Sequence, residues 1–215
     1  MNKAVTTRLY AIVDAAVASS AGWHPAALAK VYMDAGVRLL QLRAPRVEGQ
    51  VVHCWCEQML SDAAGCGARI IVNDRCDLAM LAGADGVHLG QGDLPVEEAR
   101  RLLGETAIIG LSTHDDSQVR EAVGRPVSYL AIGPVFATRT KDTGYAAVGL
   151  DAVRRTVAAA GDRPVVAIGG ITLATAPAVL EAGAQAVAVI TDLLATGDPS
   201  ARVREYLDVC GEPPG

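Results

Sequence analysis

Ala82-Gly83-Ala84-Asp85-Gly86-Val87 joins the end of one helical run to the start of a short β-branched run. It has two echoes. Asp34-Ala35-Gly36-Val37 precedes a second such run, and Ala182-Gly183-Ala184-Gln185-Ala186-Val187 leads into a third. In each, a Gly sits where a helix stops. Glycine takes the left-handed conformation that caps a helix, and a strand starts soon after. Copies of one short helix-to-strand turn, spread along the chain, point to one repeated βα architecture and not to a solenoid.

Working outward from these turns, short apolar runs at 9–14, 39–43, 69–74, 86–90, 107–113, 129–136, 164–170 and 186–191 read as eight strands. Between them, helical periodicity marks 24–35, 47–64, 96–103, 116–123, 150–160 and 174–182, with a last helix at 199–209. Strands that alternate with helices form a parallel sheet. Eight units in 215 residues favour closure, so the expected fold is α/β, a (β/α)₈ TIM barrel. The competing architecture is an open doubly wound sheet. No linker or low-complexity stretch divides residues 1–215, which read as a single barrel domain with its core at about 9–209.

Composition narrows the function classes. The net charge of −5 argues against a nucleic-acid or membrane-surface partner, either of which favours a basic face. No long uncharged apolar run spans a membrane, and the first ten residues are too short and polar for a secretory signal, so a cytoplasmic protein is expected. The five Cys are scattered without a paired C-x-x-C pattern and read as buried free thiols. Of 19 basic side chains only Lys3, Lys30 and Lys141 are Lys, so a Lys in a candidate site is notable.

A barrel carries its chemistry at the C-terminal ends of its strands. Here those ends read Gln41-Leu42-Arg43, Asn73-Asp74, Gly90-Gln91-Gly92-Asp93, Ser112-Thr113-His114, Gly133-Pro134 running on to Thr138-Arg139-Thr140-Lys141, Gly169-Gly170, and Ile190-Thr191. Asp74 and Asp93 end neighbouring strands and could share one Mg²⁺, which favours one or two carboxylates plus phosphate oxygens; the alternative is that each caps the following helix. Arg43 and Lys141, with Asn73, suit a diphosphate, although Arg43 could pair with a rim acid and Lys141 could be a solvated loop side chain. Gly169-Gly170 with Ile190-Thr191 has the form of a barrel phosphate site built from backbone N–H groups, to which Thr138 and Thr140 could add hydroxyls. Two anion sites at one rim imply two phosphorylated substrates or one bisphosphate.

Ser112 lacks a G-x-S-x-G elbow, so it reads as a hydrogen-bond donor to substrate and not as a nucleophile. His88 reads first as a packed strand residue. His53, Cys54 and Cys56 do not share one helical face, which removes them as a metal cluster.

These residues, in this order, resemble the thiamine phosphate synthase family. The resemblance rests on Gln41-Leu42-Arg43, Val72-Asn73-Asp74, Ala84 through Asp93, Gly110-Leu111-Ser112-Thr113-His114, Gly133 through Thr138 with Lys141, and Gly169-Gly170-Ile171-Thr172, and covers about residues 9–191. It implies a Mg²⁺-dependent transferase that joins a hydroxymethylpyrimidine diphosphate to the nitrogen of a thiazole phosphate, releasing diphosphate through a pyrimidine cation. It implies that Asp74 and Asp93 hold Mg²⁺, that Arg43, Asn73, Ser112 and Lys141 face the pyrimidine diphosphate, and that Gln41 and Leu42 are further substrate-binding residues. Arg43, Ser112 and Lys141 are the catalytic candidates. Thr138, Thr140, Gly170, Ile190 and Thr191 are the implied thiazole phosphate ligands. Its partners are small molecules, with a homo-oligomer left open.

One departure stands out. The family usually continues Gln-Leu-Arg with an acid and a Lys, where this chain has Ala44-Pro45-Arg46. Pro45 carries no charge, and Arg46 is the candidate replacement. Two alternatives share the barrel: a thiazole tautomerase using His114 as acid/base, and a non-catalytic thiazole phosphate-binding barrel.

Overall fold

The computed structural model of the protein describes residues 5–138 and 144–211. Eight parallel strands close into a barrel: β1 (Leu9–Asp14), β2 (Leu39–Arg43), β3 (Arg69–Asn73), β4 (Gly86–Leu89), β5 (Ile108–Thr113), β6 (Tyr129–Ile132), β7 (Val165–Ile168) and β8 (Ala186–Val189). β8 pairs back to β1, with Ala188 opposite Tyr10, so the open-sheet alternative falls.

The helices are α1 (Ala15–Ser20), α2 (Pro25–Asp34), α3 (Gly49–Ala64), α4 (Cys76–Ala82), α5 (Val96–Leu103), α6 (Asp116–Val123), α7 (Gly149–Ala160), α8 (Ala176–Glu181) and α9 (Pro199–Cys210), with a 3₁₀ turn at Thr191–Leu194. The expected elements are found, most of them shortened at their ends. Helices α1 and α4 and the 3₁₀ turn are additions to the sequence reading.

The repeated turn works as its residues require. Gly83 sits at φ 70°, Gly36 at 116° and Gly183 at 102°. After α4 the N–H of Ala84 donates to Ala79 and that of Gly83 to Met80, closing the helix with left-handed geometry. Asp85 then fixes the start of β4. Its carboxylate accepts from the Ile70 N–H at 2.8 Å and pairs with Arg69 at 2.6 Å.

Strand alternation sorts the apolar residues into two cores. Leu40, Leu42, Ile70, Val72, Val87 and Leu89 face the helices. Tyr10, Ile12, Leu39, Ile71, Ile108 and Tyr129 fill the barrel. The inward phase then carries polar groups toward the C-terminal rim: Tyr10-Ile12-Asp14 on β1, Gln41-Arg43 on β2, and Asn73, His88 and Ser112 on β3 to β5. One strand phase thus gives both the core and the site.

Candidate active site

A cavity of about 850 Å³ opens at this rim. Gln41, Arg43, Asn73, Ser112, Thr138, Gly170, Ile190 and Thr191 all line it, so eight of the expected site residues share one space. Leu42 does not: as the outward residue between Gln41 and Arg43 it is buried against the helices, so its side chain cannot meet a ligand. Thr140 and Lys141 lie outside the described residues.

The β1–β5 side of the cavity is made of side chains that hold one another. Arg43 is ion-paired to Asp14, whose side chain is 3% exposed. The other Asp14 oxygen accepts from the N–H groups of Ala16 and Val17 at 3.1 Å and so caps α1. Arg43 therefore does pair with a rim acid, yet it still lines the cavity, and its buried Nε has no hydrogen-bond partner among the described residues. Across the barrel, Gln41 donates to the Tyr10 hydroxyl at 2.9 Å, and Tyr10 lies 3.2 Å from the Tyr129 hydroxyl. Tyr129 is 2.8 Å from His88 Nδ1, and His88 Nε2 is 2.9 Å from Ser112 Oγ. Burial pushes both phenols well above their ordinary range, so both stay protonated. His88 is thus more than strand packing.

Asp74 and Asp93 stand on the loops after β3 and β4 and do not line the cavity. Neither caps the helix that follows. Helix α4 has Arg75 and α5 has Pro95 at its N-cap, both without a side-chain capping bond. Asp93 accepts from the Gly90 N–H at 2.7 Å. Asp74 has φ 63°, unusual for a residue other than Gly, which turns it sharply out of β3. Burial pushes the Cys76 thiol up to about 11, with the carboxylates of Asp77, Asp93 and Asp74 adding to it in that order. Both are carboxylate oxygen donors of the type a divalent cation takes, on loops after neighbouring strands, and neither is spent on a helix cap.

The β6–β8 side carries a glycine pair after β7. Gly169 and Gly170 have φ of 100° and 63°. A Cβ on Gly169 would lie 2.5 Å from Pro134, and one on Gly170 2.6 Å from the Ala137 carbonyl. The N–H of Val135 donates to Ile168 and that of Phe136 to Gly169, both at 2.9 Å, which stitches the β6 and β7 loops together. The 3₁₀ turn after Ile190 is pinned through Asp192, which accepts from the Leu173 N–H at 3.0 Å, Arg202 at 2.7 Å and the Tyr206 hydroxyl at 2.6 Å. His114 also lines the cavity; its Nδ1 is 2.5 Å from the Gly133 carbonyl and its ring stacks on Tyr145 at 4.0 Å.

A family model described as thiamine monophosphate synthase matches residues 9–193. The chain belongs to the thiamine monophosphate synthase family. A thiamine-phosphate synthase of Acidothermus cellulolyticus is 43% identical over 200 residues, covering 93% of this chain and 92% of the relative. One of Synechococcus sp. strain WH7803 is 46% identical over 177 residues, covering 82% of this chain but only 50% of that longer relative. The thiamine phosphate pyrophosphorylase from Pyrococcus furiosus superposes with a TM-score of 0.87 at 27% identity, covering 97% of this chain and 98% of the other. The family resemblance, the barrel and the transferase class read from the sequence all stand.

Sequence reasoning missed Asp14, Tyr10 and Tyr129. The signal was available: Tyr10, Ile12 and Asp14 share a strand phase, so an inward Tyr10 implied an inward Asp14. Cys54, expected to be buried, is exposed on α3. Among the described residues no helix is long and apolar enough to cross a membrane.

Proposed function

We propose that this chain joins a hydroxymethylpyrimidine diphosphate to a thiazole phosphate, giving thiamine phosphate and diphosphate, with Mg²⁺ held by Asp74 and Asp93. The supporting observation is the composition of one cavity, with cationic and polar side chains on β2, β3 and β5, glycine backbone after β7, and Ile190-Thr191 after β8. The first half suits a diphosphate, the second a phosphate monoester.

In this reading the C–O bond to diphosphate breaks, the thiazole nitrogen bonds to the freed methylene carbon, and the electron pair leaves with diphosphate. Arg43, preset by Asp14, presents charge to the departing diphosphate. Asn73 and Ser112 add neutral donors, and Lys141 a second cation. Gly170, Ile190 and Thr191, with Thr138 and Thr140, seat the thiazole phosphate and align its nitrogen. Mg²⁺ supplies charge neutralisation on the diphosphate when bound. Arg46 takes the place of the Lys missing at Pro45. It is exposed in the turn after β2, with no partner among the described residues, and so can swing toward a bound diphosphate.

The rival tautomerase reading rests on His114 at the cavity wall. It leaves the Asp74–Asp93 pair and the Arg43 side of the cavity without a task. Asp93→Ala should remove Mg²⁺-dependent turnover while leaving thiazole phosphate binding intact; full activity in that variant would rule out the metal assignment.

A further inference from the structure

The five groups that cross the barrel interior can be given a direction. Gln41 donates its amide N–H to the Tyr10 oxygen. Among the described residues Tyr10 has one other hydrogen-bond neighbour, the Tyr129 hydroxyl, so its single proton goes there. Tyr129 then has only His88 Nδ1 left to receive its own proton. A neutral imidazole that accepts at Nδ1 carries its proton on Nε2, where it donates to Ser112 Oγ. The Ser112 oxygen is thereby occupied as an acceptor, and the hydroxyl proton is left to point into the cavity that Ser112 lines. Gly110 leaves room for this arrangement, since a Cβ there would lie 2.1 Å from the Tyr129 ring and 2.6 Å from His88 Nδ1.

We infer that Tyr10, Tyr129 and His88 are positioning residues that lock Ser112 as a hydrogen-bond donor toward an anionic oxygen of the substrate. The inference rests on the synthase reading for the substrate's identity, but the direction of the chain does not. The reversed chain is the sharp competitor. There a flipped Gln41 accepts from Tyr10, Tyr129 donates to Tyr10, and His88 Nδ1–H donates to Tyr129. Nε2 then takes the Ser112 proton, and Ser112 faces the cavity only as an acceptor, which repels a phosphate oxygen. A chain of buried hydrogen bonds holds one direction throughout, because reversing one link leaves two donors or two acceptors face to face.

Two measurements test this. In ligand-free protein, ¹⁵N NMR of the histidine rings, with the His88 signal assigned by its loss in His88→Gln, should show the Nε2–H tautomer. An Nδ1–H tautomer or a doubly protonated ring overturns the inference, whatever reaction the protein performs. The second is a kinetic cycle. Tyr129→Phe should lower kcat/KM for the pyrimidine diphosphate by about ten-fold, the loss of one oriented hydrogen bond to a charged group, and leave the KM for thiazole phosphate unchanged. In a Ser112→Ala background the same substitution should change kcat/KM by less than about two-fold, since no hydroxyl remains to orient. An equal loss in both backgrounds marks Tyr129 as structural only and overturns the inference. Absence of synthase turnover in the unmodified protein would instead refute the synthase reading, with the tautomer still readable.

Discussion

In the proposed reading, the two halves of the cavity would recognise anions by different physics. On β1 to β5, Asp14, Arg43, Asn73, His88 and Ser112 act through side chains, and Arg43, His88 and Ser112 are each held by another buried group. On β6 to β8, Gly169-Gly170 and Ile190-Thr191 are proposed to act through the main chain, and Asp192 is engaged by Leu173, Arg202 and Tyr206. A site made of side chains fails when a charge is removed. A site made of backbone fails when a Cβ is added, and tolerates loss of a side chain.

The largest effect is expected at Arg43. Arg43→Met strands the buried Asp14 carboxylate, at a cost of about 3 kcal/mol in denaturant unfolding, and kcat/KM should fall at least about 100-fold. Unchanged stability would mean that α1 capping alone satisfies Asp14. Gly169→Ala comes next. It forces a side chain into φ 100° against Pro134, costing about 2 kcal/mol, and should raise the KM for thiazole phosphate about ten-fold with the pyrimidine KM unaffected. Equal changes in both KM values would erase the division between the halves. Arg46→Ala should raise the pyrimidine diphosphate KM about three-fold, as suits an exposed cation; no change would remove Arg46 from the site. Thr191→Ala should be the mildest, with thiazole phosphate affinity within about two-fold. A large loss would show that the hydroxyl, not the backbone, is the ligand.

The same division explains what the sequence could tell. The strand run at 9–14 and the helices at 96–103 and 116–123 coincide with the observed elements, because strand phase and helical period are local properties. Strands expected to reach Asp74, Phe136 and Thr191 stop earlier. Those residues leave the sheet to form the rim: Asp74 turns at φ 63°, Phe136 bonds to Gly169, and Thr191 opens a 3₁₀ turn. Helix α1 escaped notice because it has six residues and follows β1 with no breaker between them. Its cap, Asp14, was visible as a residue but not as a link, since its partner Arg43 is 29 positions away. The chain from Gln41 to Ser112 crosses five strands, so only the closed barrel brings its members together.

The most direct test of the synthase reading is diphosphate release from purified protein, given the pyrimidine diphosphate and thiazole phosphate singly and together, with and without Mg²⁺. Release that requires both substrates and the metal is the predicted result. Thiazole phosphate binding without any diphosphate release would contradict it, and would leave a tautomerase or a binding protein in the same barrel.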